Sequence, residues 1–236
     1  MQTSNQTYGA GESYDILHKN KDYEKEVDYI QECFDKYADN VNTVLDIGCG
    51  TGGHSAILHK RGIKQLGIDP CATMIGLAKN KPGTYKCASL KELKPSVGDY
   101  DAAISMFHVV NHITTLDNLF KYFQATFSQL RTGGVLIFDC FNSIAFNRDA
   151  PKTLQKESYT ITPVVDYFKA QMDLIGQTKS DPMLDYNIRQ RIWSIDVLLE
   201  VIHNSGFTQN NTIILKQNTH TLATPDDYKL TIICRK

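Results

Sequence analysis

The chain has 236 residues, 42% of them hydrophobic and 22% charged, a globular composition that excludes wholesale disorder. Twenty-five Lys and Arg against 26 Asp and Glu leave a formal net charge of −1, without the basic excess of a nucleic-acid binder or a polybasic membrane anchor. No apolar run approaches the ~18 residues of a membrane span, residues Met1 to Tyr8 lack an apolar signal region, and the six cysteines form no CxxC pair, so a reduced, cytoplasmic protein is expected.

Residues 1–20 are polar with interspersed aromatics, among them Tyr8 and Tyr14. Tyr23, Val27, Ile30, Phe34 and Tyr37 then recur at helical spacing and predict a helix over 21–38. TVLDI (43–47) predicts a buried strand that runs straight into GCGTGG (48–53), followed by a helix over 54–61 that stops at Gly62. Strand 65–69, helix 71–80, strand 84–88 and strand 101–107 follow. Leu116, Leu119, Phe120, Phe123, Phe127 and Leu130 predict a helix over 115–131, closed by Gly133-Gly134 and followed by strand 135–141. The stretch 142–190 is polar and holds Pro151, Pro163 and Pro182; it is expected to form one short strand (160–166) and one helix (166–175). Ser194 caps a last helix stopped by Gly206, and strands 211–217 and 228–236 end the chain.

Strands alternating with helices imply right-handed crossovers. The expected fold is α/β, with a doubly wound, mostly parallel seven-stranded sheet. A single domain accommodates it: an N-terminal helical cap or lid (1–40), a ligand-binding core (41–141), an insertion forming the second-substrate pocket (142–190), and a final helix with two strands (191–236). Ligands of such sheets lie beyond the carboxyl ends of the strands, so functional residues are expected just after 47, 69, 88, 106 and 140.

The glycine loop admits two readings. Gly48, Gly50 and Gly53 satisfy G-x-G-x-x-G, with Asp69 about twenty residues on, as a dinucleotide site requires. Asp46, Gly48, Gly50 and Gly52 satisfy D-x-G-x-G-x-G instead. A carboxylate two residues before the first glycine suits a cofactor carrying an ammonium and a sulfonium, and is a poor neighbour for a pyrophosphate. In both readings Asp69 can accept the ribose hydroxyls.

The stretches VLDIGCGTGGHSAIL, LGIDPCATMIGLAK, DYDAAISMFHVVNHI and LRTGGVLIFD resemble class I S-adenosylmethionine-dependent methyltransferases over 43–140. Within that superfamily the chain is similar to the small-molecule branch that contains the nucleotide-sugar amine N-methyltransferases. The resemblance implies S-adenosylmethionine as cofactor and S-adenosylhomocysteine as product. It places Gly48 and Gly50 at the methionine moiety, with Asp46, Cys49 and Gly52 among the cofactor-binding residues of the same loop, Asp69 at the ribose, and Pro70 or Met74 against the adenine. Where the family offers an acidic residue to the adenine amine, Ser89 and Leu90 stand here; Met106, Phe107 and Tyr14 would line the methionine end.

Methyl transfer needs an oriented nucleophile, exclusion of water and, where required, a proton acceptor. His108 is the candidate base and Asp139 the candidate partner of the acceptor amine. Tyr8, His112, Asn142, Arg189 and Arg191 are candidate acceptor contacts. His108 and His112 have the spacing of a helical metal pair, but no third ligand stands at a fixed offset, and no metal is expected. The sequence thus points to methyl transfer onto an amine of a small polar, sugar-like metabolite by a monomer or homodimer, with no nucleic-acid or membrane partner. O-methyl transfer to a hydroxyl or phosphorylated acceptor, a nicotinamide-dependent dehydrogenase and a non-catalytic binding protein are the alternatives.

Overall fold

The computed structural model describes residues 14–15, 18–94, 98–148, 151–155, 159–166, 171–178 and 186–236. Its helices are α1 (Tyr23–Tyr37), α2 (Gly53–Lys60), α3 (Ala72–Ala78), α4 (Leu116–Gln129), α5 (Ser143–Arg148) and α6 (Ile195–Asn204). The first five strands are β1 (Thr43–Ile47), β2 (Lys64–Asp69), β3 (Thr84–Cys87), β4 (Tyr100–Ser105) and β5 (Leu130–Phe141). All five pair in parallel, as strands joined by helical or looped crossovers must. The sheet is completed by β10 (Thr212–Lys216) and β11 (Lys229–Arg235), giving the order β3-β2-β1-β4-β5-β11-β10. Only β11 runs against its neighbours, pairing Lys229 with Phe141 and Thr231 with Asp139. The expected seven-stranded, doubly wound sheet is therefore the fold.

Both faces of the sheet are covered because its central strands are apolar on both sides. α1 lays Val27, Ile30, Cys33 and Phe34 on one face, against Val44, Ile104 and Ile137. α4 and α6 cover the other, where Leu119, Phe123, Leu198 and Ile202 meet Leu45, Leu136 and Phe138. Each fully buried side chain of this size contributes roughly 1.5–3 kcal/mol. The helix starts are fixed locally: the side chains of Asp22, Thr115 and Ser194 accept the backbone N–H of Lys25, Asn118 and Val197.

Two expectations need correction. Helix α4 is not closed by Gly133-Gly134; the chain turns directly into β5 at Leu130, and both glycines lie inside that strand. They sit where the β4–β5 register shifts, and a Cβ on Gly134 would come within 2.9 Å of the Arg131 and Asp101 carbonyl oxygens. A bulge position, rather than a helix stop, demands glycine there.

The second correction concerns the insertion. No helix occupies 166–175 among the described residues. β6 (Leu154–Gln155), β7 (Tyr159–Asp166), β8 (Gln171–Thr178) and β9 (Tyr186–Arg191) form a separate antiparallel sheet in that order. Its inner face carries Ile161, Val165, Met172, Leu174, Ile188 and Gln190, one residue in two along each strand. Polar neighbours and Pro163 dilute that period of two in the sequence, which is why the stretch reads as patternless. Val165, Met172 and Leu174 join Phe141, Phe146 and Ile192 in a small core that holds this sheet against the end of β5.

Candidate functional site

The carboxyl ends of β1 to β5 open into one cavity of about 530 Å³, roofed by the inner face of the four-stranded sheet. That volume suits a small-molecule site. One end is made by the glycine loop. Gly48, Gly50 and Gly52 have φ of +74°, +54° and +80°, the left-handed region that glycine enters without steric cost. A Cβ on Gly48 would stand 2.7 Å from a Val109 methyl, whereas one on Gly50 would meet nothing within 4 Å and project into open space. Gly48 thus lets two loops pack, and Gly50 keeps the cavity clear. Asp69 closes this end: its Oδ1 accepts the Cys71 N–H at 2.8 Å and its Oδ2 the Gly50 N–H at 3.1 Å. Burial pushes its pKa up, opposed by those two N–H groups. Each oxygen retains lone-pair capacity for a ligand hydroxyl.

Pro70, Met74, Ser89 and Leu90 line the wall beside Asp69, as anticipated. Ser89 spends its N–H and O–H on Glu92 Oε2, both at 2.6 Å, so only its oxygen lone pairs face a ligand amine. Tyr14, Met106 and Phe107 also line the cavity. Asp46, Cys49 and Gly52 do not: they stand behind the loop. Asp46 is 2% exposed, and its Oδ2 accepts the Ser55 hydroxyl at 2.7 Å. Its carboxylate braces the loop from below, and burial raises its pKa.

The opposite end is built around His108. Phe107 and His108 both adopt positive φ, +70° and +61°, an uncommon conformation for non-glycine residues. It is held by Asp139, whose Oδ1 accepts the His108 backbone N–H at 2.7 Å, and by the 3-10 turn Val109–His112 that follows. Asp139 Oδ2 accepts the Gln217 side-chain amide at 2.6 Å. Asp139 is therefore a buried brace behind the wall and not a cavity residue, in contrast to its expected contact with the acceptor. The His108 ring stacks on Phe141 at 4.2 Å, and neither ring nitrogen has a hydrogen-bond partner; Asp139 Oδ2 lies 3.6 Å from Nδ1. Burial drives the His108 pKa down to about 4, and that of His112 likewise, so both rings are neutral near pH 7.

Other sequence candidates lie elsewhere. Asn142 is spent on chain geometry, its side-chain amide donating to the Asp227 carbonyl at 2.9 Å. Arg189 faces away from the cavity and clasps Asp173 at 2.9 and 3.0 Å, and the Arg191 guanidinium lies 5.1 Å from the Trp193 ring centre. Tyr8 lies outside the described residues. His112 does line the cavity, its Nε2 3.4 Å from Gln190 Nε2. Among the described residues no group of three His, Cys, Asp or Glu side chains is placed to hold a metal ion, and no helix is long and apolar enough to cross a membrane.

Sequence reasoning missed His18, Gln190, Phe141 and Lys229 on the wall, and Lys21 beside it. His18 stacks on Tyr14 at 4.4 Å and meets Phe107 edge-on at 4.8 Å. Lys21 Nζ lies 3.7 Å from the Phe107 ring centre and pairs with Glu26 at 3.2 Å. Lys229 was recoverable in principle. An antiparallel strand begins where its parallel neighbours end, so the first residue of β11 belongs to the functional edge.

The doubly wound sheet is the fold seen in the S-adenosylmethionine-dependent methyltransferase structures that this chain resembles. Residues 44–134 match the family model described as a methyltransferase domain. The chain is 22% identical over 214 residues to the presumed methyltransferase YqeM of Bacillus subtilis (strain 168), covering 84% of this chain and 85% of that protein. Its structure superimposes on an S-adenosylmethionine-dependent methyltransferase from Clostridium acetobutylicum ATCC 824 with a TM-score of 0.77, at 18% identity over 94% of this chain and 95% of the other. The sugar N-methyltransferase KedS8 from Streptoalloteichus sp. ATCC 53650 gives 0.74, at 15% identity over 100% and 97%. S-adenosylmethionine fits the residues present. The space beside Gly50 would leave room for its methionine end, Asp69 could offer the ribose two acceptor oxygens, and Met74 and Leu90 would supply apolar walls for the adenine.

Proposed function

We propose that the protein transfers a methyl group from S-adenosylmethionine to an amine of a small metabolite, which reacts as the neutral amine. One observation carries this reading. The cavity runs unbroken from the glycine loop to the His108 wall, and among its described lining residues the one carboxylate is Asp69, at the cofactor end. An ammonium entering the other end meets no counter-ion. Burial and the neighbouring lysines both disfavour its charge, so it sheds its proton and exposes its lone pair. The bound cofactor supplies the electrophilic methyl group.

The remaining work falls to this chain. Phe107, Phe141 and the inner face of the four-stranded sheet exclude water and hold the acceptor. His108, neutral and with unpaired ring nitrogens, orients the nucleophile and relays the proton released on transfer to water, since burial keeps its ring from holding a charge. Residues 142–190, through Ile161, Leu174, Ile188 and Gln190, form the acceptor pocket. The preference for nitrogen draws support from the fold shared along the whole chain with KedS8. A sugar-like acceptor must present a largely deoxygenated face, because the wall offers few hydrogen-bonding groups. A hydroxyl acceptor is the second reading, favoured by the aromatic rings of Phe107 and Phe141, which suit a flat hydroxylated ring.

Calorimetry with S-adenosylhomocysteine and NAD tests the cofactor, with binding expected for the first alone. A panel of amines and hydroxylated compounds, read by S-adenosylhomocysteine release, tests the acceptor. Turnover confined to hydroxyl compounds removes the amine assignment, and binding of NAD without S-adenosylhomocysteine removes methyl transfer itself.

A further inference from the structure

Lys229 stands opposite Phe141 in register, and its Nζ lies 5.7 Å from the centre of that ring, on the cavity wall. The nearby carboxylates are committed elsewhere. Asp139 accepts the His108 N–H and the Gln217 amide, while Glu26 pairs with His54 at 2.6 Å and with Lys21 at 3.2 Å. The Lys229 ammonium makes no ion pair among the described residues. A half-buried cation without a partner costs free energy that an incoming anion recovers. Gln190 supplies a second unmet group: it is 4% exposed, lines the cavity, and its Oε1 has no hydrogen-bond partner. Phe141, Ile161, Leu174 and Ile188 supply apolar lining to the same cavity.

We propose that the methyl acceptor is a small monocarboxylate, whose carboxylate pairs with Lys229, whose N–H or O–H is received by Gln190 Oε1, and whose apolar body fills the space between. A monocarboxylate is favoured over a phosphate because one ammonium balances one charge. The second charge of a phosphate would stay uncompensated in a largely apolar pocket. This inference rests on the methyl-transfer reading and narrows its acceptor. It also moves anion recognition from Arg189 and Arg191, which face away, to the first residue of β11.

The test titrates S-adenosylhomocysteine-saturated protein with benzoate, benzamide, benzylamine and phenyl phosphate, in the parent and in Lys229→Met and Lys229→Arg. Benzoate is expected to bind at least about tenfold more tightly than its neutral isostere benzamide. That preference should vanish in Lys229→Met and persist in Lys229→Arg. Equal binding of the two, a preference that survives Lys229→Met, tighter binding of benzylamine or phenyl phosphate, or no probe binding at all each overturns the proposal. The preceding S-adenosylhomocysteine titration separates the two levels. A parent protein that binds none of it removes the methyl-transfer reading and this inference together, whereas a parent that binds it without a charge preference removes only this inference.

Discussion

The two ends of the cavity are built in different ways. The cofactor end comes from the ends of β1, β2 and β3 and the loops that follow them, and backbone groups do most of its work: the Gly50 N–H on Asp69, the Cys71 N–H on Asp69, and open space where a Cβ would stand. The proposed acceptor end is assembled by side chains from the turn after β4, from β5, β7, β8, β9 and β11, and from the N-terminal segment, braced by a buried carboxylate. A backbone-built site tolerates few substitutions and is shared widely among proteins of the fold. A side-chain-built site can be rewritten residue by residue, which lets one scaffold serve many acceptors.

The largest effects should come from the glycines, and they should split. Gly48→Val drives a side chain into Val109 and strains a φ of +74°, so a loss of roughly 2–6 kcal/mol in denaturant unfolding is expected. Gly50→Val shares the backbone strain, at φ +54°, of about 1–3 kcal/mol but meets no neighbour, so it should lose less stability than Gly48→Val. It should lose S-adenosylhomocysteine affinity by about a hundredfold or more, because its side chain enters the cavity. A folded Gly50→Val protein with parental affinity would show that the loop does not hold the cofactor.

At the acceptor end, the buried histidines should appear in the pH dependence of stability. Their folded pKa, about 4, lies below the unfolded value near 6.5. Unfolding therefore takes up protons as pH falls, and stability present above pH 6.5 is lost between 6.5 and 4, by up to ~1.4 kcal/mol per pH unit for each histidine. The raised pKa values of Asp46 and Asp69 act in the opposite sense, so the comparison is made against His108→Asn. Asparagine tolerates positive φ, and its stability profile over that window should be shallower than the parent's. Parallel profiles would mean that His108 is protonated in the folded protein.

Asp69→Ala should weaken S-adenosylhomocysteine binding by roughly 1–3 kcal/mol in calorimetry, through lost hydrogen bonds to a charged acceptor. It should leave acceptor binding alone, which would sharpen the division between the ends. Asp139→Ala should cost about 1–3 kcal/mol of stability, because it leaves the buried His108 N–H unpaired. Asp139→Asn should restore most of that, since Gln217 can turn its amide to match. A raised acceptor KM in Asp139→Asn at parental stability would put Asp139 in contact with the acceptor after all. The smallest effect is expected for His108→Ala, about tenfold in kcat with cofactor affinity unchanged. Turnover at the parental rate would mean that water takes the proton without His108.

The cofactor end was legible because its determinants are local. Asp46 to Gly53 form one loop, and Asp69 follows the next strand at a spacing set by one crossover. Even there, Asp46, Cys49 and Gly52 fell on the wrong side of the loop, since a motif does not say which residues face the ligand and which brace it. The other end was half legible. His108 and His112, singled out from their position after β4, do line the cavity, while Arg189 and Arg191 do not, and Ile188 and Gln190 on the opposite face of β9 do.

The sequence by itself determined the order of strands and helices, the doubly wound sheet and the glycine loop, because hydrophobic period and glycine spacing act over a few residues. Tertiary structure alone decided that β6, β7, β8 and β9 form an antiparallel sheet over the cavity. It also decided that Asp139 supports a wall instead of touching the acceptor, that burial keeps His108 neutral, and that Lys229 reaches the site from the last strand. Each of these depends on contacts between residues far apart in the chain. Strand pairing, desolvation and the antiparallel return of β11 arise only when those residues are packed together.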